Sequence, residues 1–336
     1  MQDILVPEKE LRSLVSKKLT DAGLNQPDAH IVADVLVHAD MRGVRSHGVI
    51  RTEHYVTRLN AGSLNRNPTF SFAKIRPGAG MLDADDGMGH PACLEAVSKA
   101  CDLARDAGIA MVGVCNGSHC GALSYFMMHA VSKNMIGIGV THTDKCVAPF
   151  GGSQAFFGTN PIAFGFPTRK HDPVILDMAT SNTAFGKILH ARETNASIPG
   201  DWGIDNNGHP TTDPNKVAAM TPFGGHKGYG IALVIDVLTG VLLGAEYGPH
   251  ITAMYGDYEK PRKLASTMIA IDPDTYAGLD QFCSKMDAMV ADLHAEPPAP
   301  GFDKVLVPGE IEWNNERTSR EHGVPVLETI YEYLKH

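Results

Sequence analysis

A chain of 336 residues exceeds the roughly 100 to 200 residues of one typical domain, which favours two packed lobes. With 43% hydrophobic and 20% charged residues, the composition is that of a folded globular protein and not that of a disordered one. The formal net charge of -9 and the lack of any cluster of Lys and Arg argue against a nucleic-acid partner, because neutralising phosphates requires such clusters.

The compartment is predicted from the N-terminal sequence, the hydropathy and the cysteines. The first residues do not show the basic segment and apolar run of a secretory signal. The most apolar stretch, residues 231–243, carries Asp236 and is shorter than the roughly 20 residues of a membrane span, so we predict a buried helix and no membrane partner. Six cysteines in a long chain without a secretory signal predict free thiols in a reducing compartment, hence a cytoplasmic protein.

Helical patterns run through residues 1–62. Apolar residues recur at helical spacing between Leu11 and Leu19, and Gly23 follows where a left-handed cap is expected. A second helix is predicted to begin near Pro27, because proline suits the first helical turn. A third is predicted from about residue 49 to residue 59, with its stop at Ala61 and Gly62.

The middle of the chain alternates helices with short apolar runs of strand length. Helices are predicted at 91–107 and 122–133, and strands at 109–115, 136–142, 162–166, 174–178 and 268–271. This alternation is typical of an α/β sheet buried on both faces. Further helices are predicted at 224–243, at 279–293 and from about residue 326. We predict one helical lobe from residues 1–70 with 275–336, and an α/β region from residues 71–274.

Glycine-rich segments are the candidates for a cofactor site. The nearest match to the dinucleotide fingerprint G-x-G-x-x-G is at 78–80 and lacks the third glycine, so an ordinary Rossmann unit is disfavoured. A second segment, residues 223–230, opens a predicted helix. Glycines there let backbone N–H groups approach an anion, and Lys227 adds a positive charge, which predicts a phosphate site. The alternative is a flexible turn with a solvated lysine.

Two of the sixteen histidines, His47 and His119, stand out by their settings. His119 follows a predicted strand and precedes a helix, which is where open α/β sheets place ligands. A neutral imidazole there can accept the proton of a substrate hydroxyl while hydride leaves the same carbon. Either histidine can instead be a loop residue bonded to the backbone. No metal site is expected, because neither H-E-x-x-H nor a Cys/His grouping with zinc spacing occurs.

Arg51 and Tyr55 lie four residues apart on the predicted third helix, so their side chains share a face one turn after His47. A guanidinium matches a carboxylate at two points, and a tyrosine hydroxyl can bind a second polar group. The alternative is a solvated pair. Cys120 beside His119 suggests a thiol nucleophile, but the sequence identifies no third group to orient it.

Seven motifs, all in the same order, carry a resemblance to a known family. They are D-M-R-G-V-R-S-H-G at 40–48, G-S-H-C-G at 117–121, F-G-T-N-P at 157–161, L-D-M-A-T at 176–180, I-P-G-D-W at 198–202, T-T-D-P at 211–214 and G-G-H-K-G-Y-G at 224–230. Together they resemble the type 2 malate/L-lactate dehydrogenase family from about residue 5 to the C-terminus. This family is distinct from the Rossmann-type dehydrogenases of similar name.

The resemblance implies a three-layer α/β/α fold with a mixed sheet, a non-Rossmann NAD site and a homodimer whose cleft both subunits line. The implied reaction moves hydride from a small 2-hydroxy acid to NAD, with NADP the less favoured cofactor. The segments at 46–55, 254–262 and 299–302 are most similar to the branch that oxidises (S)-ureidoglycolate to oxalurate in allantoin breakdown. Malate, lactate, sulfolactate, diketogulonate and a cyclic imino acid are alternative substrates. Outside this class, a hydrolase of ureido compounds is the alternative.

The resemblance also implies roles for individual residues. His119 is the implied general base, with His47 as the competing candidate. The implied substrate-binding residues are Arg51, Tyr55 and Arg262. The implied cofactor-binding residues are Thr143, Asp177, Met178, Ala179, Lys227, Gly309 and Glu310. Thr143 stands where a serine would fit the pattern equally well, and Cys120 where a serine is familiar; both are small.

Overall fold

A computed structural model of the protein describes residues 3–336. Its strands are β1 (Asp3–Val6), β2 (Ser71–Arg76), β3 (Ala79–Asp83), β4 (Ile109–Gly117), β5 (Ile136–Thr141), β6 (Ile162–Phe166), β7 (Val174–Met178), β8 (Gly203–Ile204), β9 (Ala219–Met220), β10 (Leu264–Ile271) and β11 (Val324–Leu327). Its α-helices are α1 (Glu8–Asp21), α2 (Gln26–Met41), α3 (Thr52–Ala61), α4 (Gly89–Ala107), α5 (Ser124–Ser132), α6 (Phe185–Thr194), α7 (His226–Asp236), α8 (Leu279–Ala295), α9 (Glu310–His322) and α10 (Glu328–Lys335).

The central element is a seven-stranded sheet with the order β2-β3-β4-β10-β5-β6-β7. β3 and β4 are parallel, and the other neighbouring pairs are antiparallel. The predicted mixed sheet is therefore confirmed. The strand predicted at 268–271 lies at the centre of the sheet as β10, and its actual start is at Leu264.

Helices cover both faces of this sheet. α4 and α5 pack on one face, while α7 and the π-helical turn that follows it, Val237–Val241, pack against the other. Met127 of α5 comes close to β5 and β6, because three glycines of those strands present no side chain to it. A Cβ atom at Gly139 would lie 2.8 Å from Cε of Met127, and one at Gly165 would lie 3.0 Å from its Cβ. The predicted three-layer α/β/α arrangement is confirmed.

The N-terminal helices form a second apolar core together with the end of the chain. Leu11, Leu36 and Leu59 are buried there with Val324 and Leu334. α2 begins as predicted, with the Asn25 side chain accepting a hydrogen bond from the backbone N–H of Asp28 at 3.0 Å. α2 also contacts α4, and this contact joins the helical core to the sheet.

One prediction about the chain ends is wrong. Residues 3–6 are not helical: they form β1, which pairs antiparallel with β11. The helix predicted from about residue 326 is present and begins at Glu328, but the strand β11 directly before it was not predicted. Both strands are four residues long, and pairing with a distant segment decides their conformation. Residues 1 and 2 lie outside the described part of the chain.

The apolar helix predicted at 224–243 is present, but the prediction that it is buried is wrong. Val234, Val241 and Leu242 are 51%, 58% and 57% exposed, because only one side of the helix faces the sheet. Between residues 3 and 336, the structure contains no helix that is both long and apolar enough to cross a membrane.

The C-terminal segments pack in two places. α9 and β11 contact α2, whereas α8 buries Met286 and Val290 against Val174 and Val307 at the β7 edge of the sheet. The division into a lobe of residues 1–70 with 275–336 and a region of residues 71–274 stays a prediction.

Candidate active site

The loop that carries His119 begins where β4 ends at Gly117 and leads into α5 at Ser124. Its course depends on Gly121, which has φ of 78°, a conformation that residues with a Cβ rarely adopt. A Cβ at this position would also lie 2.8 Å from Val35 and 3.0 Å from Nε2 of His90. The loop therefore bends tightly against α2 and α4 and holds the partly buried ring of His119 in place.

The rings of His47, Tyr55 and His90 surround that of His119. Nδ1 of His119 lies 2.7 Å from the hydroxyl oxygen of Tyr55 and 3.3 Å from the backbone nitrogen of Gly121. The ring of His47 stacks on His119 with 5.6 Å between centroids. The ring of His90 lies 5.2 Å from that of Tyr55. Because Nδ1 is engaged, Nε2 is the ring nitrogen of His119 that remains for a substrate.

The electrostatic environment keeps these histidines neutral near pH 7. Burial, followed by the charges of His47 and Arg51, lowers the pKa of His119 well below its ordinary value. Burial also lowers the pKa of His47 to about 4 and that of His90 to about 3. A histidine that accepts a proton must start unprotonated, so each of the two candidate bases is in the form that the chemistry requires.

Two arginines supply positive charge next to this cluster. Arg51 donates from Nε to the carbonyl oxygen of Ser46 at 2.6 Å and from Nη1 to the hydroxyl of Tyr255. Arg262 is buried and donates from Nη2 to Asp144 at 2.6 Å. Its Nε and Nη1 have no hydrogen-bond partner among the described residues. Buried N–H groups of a guanidinium without a partner fit an anionic ligand such as a carboxylate.

Arg58 organises the segment that carries Tyr255 and Arg262. Its side chain is 1% exposed, and its guanidinium donates to four backbone carbonyl oxygens of this segment. The acceptors are Ala253 at 2.8 Å, Met254 at 2.9 Å, Lys260 at 3.1 Å and Asp257 at 3.4 Å. Burial is the main cause that lowers the pKa of Arg58, to about 10, so the side chain remains charged at neutral pH.

The predicted cofactor residues begin with Thr143, two residues after the end of β5. Its backbone N–H donates to Oδ1 of Asn160 at 3.1 Å, and its hydroxyl accepts from the N–H of Thr159 at 3.0 Å. Asn160 also donates to the carbonyl oxygen of Ala232 and to Asp236, both on α7. These bonds attach the end of β5 to α7, and the residue after Thr143 is Asp144, the partner of Arg262.

Asp177, Met178 and Ala179 lie at the end of β7, and Gly309 and Glu310 lie beside the same strand. Asp177 accepts a hydrogen bond from the backbone N–H of Ser124 at 2.7 Å, at the start of α5 and close to the His119 loop. Gly309 has φ of 95°, and a Cβ there would lie 2.8 Å from the carbonyl oxygen of Ile175. Glu310 pairs with His294 at 2.6 Å.

Lys227 is the second residue of α7 and is exposed. The glycine turn before it has φ of 54° at Gly224 and 63° at Gly225. The turn is attached to the end of β7, because the N–H of Phe223 donates to the carbonyl oxygen of Thr180 at 3.0 Å. All the predicted cofactor segments are thus connected, while the role of Lys227 stays a prediction.

The structure brings the predicted residues together in two adjoining groups. The first contains His119, His47, Tyr55, Arg51 and Arg262, and the second contains the predicted cofactor residues. Four further residues of the first group were not predicted: His90, Asp144, Tyr255 and Arg58. Asp144 had a signal, because it lies two residues after a predicted strand, whereas the other three depend on long-range contacts.

Comparison with known proteins identifies the family. The malate/L-lactate dehydrogenase family profile matches residues 6–335. A ureidoglycolate dehydrogenase (NAD(+)) of Escherichia coli K12 is 40% identical over 329 residues, covering 98% of this chain and 94% of that protein. An L-sulfolactate dehydrogenase of Methanocaldococcus jannaschii is 38% identical over 334 residues, covering 99% and 95%. A solved structure of sulfolactate dehydrogenase from Methanocaldococcus jannaschii has a TM-score of 0.92 at 36% identity, covering 99% and 96%. The chain belongs to the malate/L-lactate dehydrogenase family.

Proposed function

We propose that the protein oxidises (S)-ureidoglycolate to oxalurate with NAD as the hydride acceptor. The observation that carries the proposal is a neutral His119 close enough to Arg262 to feel its charge, while Nε–H and Nη1–H of Arg262 have no hydrogen-bond partner in the described part of the chain. A hydroxyl next to a carboxylate is the substrate group that these two residues can bind together. The similarity to ureidoglycolate dehydrogenase (NAD(+)) supports the specific reaction.

In this mechanism the substrate carboxylate binds Arg262 and Arg51, and the hydroxyl donates to Nε2 of His119. The hydroxyl proton would pass to Nε2 of His119, and NAD, when held by the predicted cofactor residues, would supply the acceptor for the hydride from the same carbon. The residues fit a dinucleotide by their chemistry: Lys227 suits an anionic phosphate, and the carboxylates of Asp177 and Glu310 suit hydroxyl donors. His47, stacked on His119, excludes water from one side of the base.

The charge of the cleft supports an anionic substrate. Arg51, Arg58 and Arg262 contribute three positive charges and Asp144 one negative charge, which leaves a net charge of two positive. Burial, followed by the charges of Arg58 and Arg51, lowers the pKa of His54 to about 3, so this neighbour adds no charge near pH 7. Ureidoglycolate has one carboxylate, and its ureido tail carries N–H groups that need an acceptor. Asp144 also provides an acceptor for the N–H groups of a ureido tail.

The test is a panel of 2-hydroxy acids, including both ureidoglycolate enantiomers, malate, lactate and sulfolactate, assayed with NAD and with NADP. We expect the highest kcat/KM for (S)-ureidoglycolate with NAD. A higher kcat/KM for sulfolactate would transfer the assignment to that substrate. Sulfolactate is the second candidate because the L-sulfolactate dehydrogenase is 38% identical to this chain. Loss of ureidoglycolate without formation of NADH would indicate the hydrolase alternative.

The proposal includes a homodimer in the cytoplasm. The outward side of α7 and its π-helical turn exposes Ile231, Val234, Val237, Val241 and Leu242. A row of apolar residues on one exposed helix side is typical of a protein contact, and a second copy of the chain is the occupant that the proposal assigns to it. The free cysteines, of which Cys93, Cys101, Cys120 and Cys283 are buried, are compatible with a reducing compartment.

A further inference from the structure

A second buried histidine lies behind the proposed base. His90 is the second residue of α4, and its side chain is fully buried. Its Nε2 is 3.4 Å from the hydroxyl oxygen of Tyr55, which in turn is 2.7 Å from Nδ1 of His119. Tyr55 itself is 0% exposed, and its hydroxyl lies between the two histidines as the middle group of a hydrogen-bonded line. None of the predicted roles uses His90.

The tautomer of His119 is the property that this line can control. In the part of the chain that the structure describes, the hydrogen-bond partners of its Nδ1 are the hydroxyl of Tyr55 and the N–H of Gly121. Neither is a carboxylate, the group that often fixes the tautomer and orientation of a catalytic histidine. The direction of the bond between Tyr55 and His119 therefore decides which ring nitrogen carries the proton.

A hydroxyl has a single proton, so Tyr55 can donate to His119 or to His90 but not to both. If Tyr55 donates to Nδ1 of His119, the neutral ring carries its proton on Nε2 and cannot accept a substrate proton there. If Tyr55 donates to His90, its oxygen accepts from the Nδ1–H of His119, and Nε2 keeps its lone pair. The second arrangement is the one that general-base chemistry requires.

We propose that His90 is a positioning residue that accepts the hydroxyl proton of Tyr55 and thereby holds His119 in the tautomer with an unprotonated Nε2. The inference rests on the proposed role of His119 as the base. When Nε2 takes the substrate's hydroxyl proton, the Nδ1–H bond to Tyr55 persists, and no proton has to leave the line.

One further observation fits this role, and another shows what the role has to overcome. Burial lowers the pKa of His90 to about 3, so the ring is neutral near pH 7 and has one acceptor nitrogen. Nε2 is that acceptor when the proton is on Nδ1, which has no hydrogen-bond partner in the described part of the chain. The N–H of Gly121, 3.3 Å from Nδ1 of His119, favours the opposite tautomer of His119. A fixed acceptor for the hydroxyl proton of Tyr55 is therefore needed to hold His119 in the tautomer with an unprotonated Nε2.

The first test replaces His90 by Phe, which keeps the ring but not the acceptor. We expect kcat for hydroxy-acid oxidation to fall about 10- to 100-fold, less than the loss seen when a triad histidine adopts the wrong tautomer. KM and the dissociation constant for NAD should change little, because no substrate-binding group is removed. His90→Gln places an amide oxygen where Nε2 stood and should restore kcat, whereas His90→Asn places it at the Nδ1 position and should not.

A double-mutant cycle tests whether His90 acts through Tyr55. In a Tyr55→Phe background, His90→Phe should cause no further loss of kcat. Additive losses would overturn the inference, because they would mean an effect independent of the hydroxyl. The matched control is His129→Phe, which removes another hydrogen-bonded histidine, 2.8 Å from Ser98 and outside the site.

The decisive measurement uses the free protein. ¹⁵N NMR of labelled histidine reports which ring nitrogen of His119 is protonated: Nδ1 in the wild type and in His90→Gln, and Nε2 in His90→Phe. An unchanged tautomer in His90→Phe overturns the inference. If that variant does not fold, equal kcat in the Gln and Asn variants overturns it. Normal turnover in His119→Ala would instead refute the proposed base, whatever the spectra of the residue 90 variants show.

Discussion

At the scale of single residues, the stacked pair His47 and His119 presents two candidate bases, 5.6 Å apart between centroids. His119 is linked to Tyr55 through Nδ1, whereas Nδ1 of His47 lies 3.0 Å from the hydroxyl of Ser46 on the neighbouring residue. The hydrogen bond to the fully buried Tyr55 orients the ring of His119 more firmly than the bond to the adjacent Ser46 orients the ring of His47. The geometry therefore favours His119.

His119→Ala should lower kcat by about 10²- to 10⁴-fold, the usual contribution of a positioned acid or base. The dissociation constant for NAD should stay near that of the wild type, because the ring is not among the predicted cofactor residues. Stopped-flow and steady-state rates of His119→Ala and His47→Ala should be measured side by side. Near-normal turnover in the first and collapse in the second would reassign the base to His47.

The pH dependence of kcat/KM follows from the direction of the His119 shift. The free protein holds the pKa of His119 well below 6.5, chiefly by burial and then by the charges of His47 and Arg51. The base is then already unprotonated at pH 6.5, so kcat/KM for oxidation should be flat near neutrality and fall only at lower pH. Arg51→Met removes a positive charge that lowers this pKa.

The acid limb of the Arg51→Met profile should therefore move to higher pH, in addition to any rise in KM. Arg45→Met is the matched control, since this guanidinium pairs with Asp3 and does not contribute to the shift of His119. A shift to lower pH in Arg51→Met, or the same shift in both variants, would contradict this account.

At the scale of elements, the segment from Ala253 to Arg262 depends on one side chain of α3. Arg58→Met would leave four carbonyl oxygens without their donor, and each buried unsatisfied group costs about 1–3 kcal/mol. The segment should then detach, and KM for the hydroxy acid should rise about tenfold or more, the equivalent of one or two such bonds.

NAD affinity should change far less, because the predicted cofactor residues lie outside this segment. Arg58→Lys should recover part of the loss, since an ammonium keeps the charge and three donors without the planar fork. Arg66→Met is the control, as it removes another guanidinium bonded to a backbone carbonyl, that of Leu59 at 2.9 Å. If Arg58→Met raised KM for the hydroxy acid and the dissociation constant for NAD by the same factor, general destabilisation of the protein would be indicated.

The elements differ in how far the sequence could predict them. Strands β4 to β7 are apolar runs of the right length, so their existence follows from local pattern. β2 was not predicted, because it is an edge strand whose residues are largely exposed. β1 and β11 pair across the length of the chain, and no local pattern encodes such a contact. Arg58 and His90 share this difficulty, since a charged or polar residue is expected at the surface unless its partners are known.

At the scale of the whole molecule, the exposed side of α7 and its π-helical turn is the feature that a single chain does not explain. Val234, Val241 and Leu242 are more than half exposed, while Ala232 and Ile235 on the opposite side are buried on the sheet. A helix that is apolar on both sides is normally covered on both. In the proposed homodimer, the second copy covers the outward side.

Val234→Asp should therefore weaken the dimer, because a carboxylate buried without a partner costs about 3–5 kcal/mol, on the order of 10²- to 10⁴-fold in the dissociation constant. Sedimentation equilibrium over a range of concentrations measures this directly. Tyr276→Asp, at a position that is 72% exposed and lies just before α8, should leave the association unchanged. If both copies line the cleft, the activity of Val234→Asp should fall on dilution as the dimer dissociates. A wild-type protein that sediments as a monomer at all concentrations would refute the assignment of this surface.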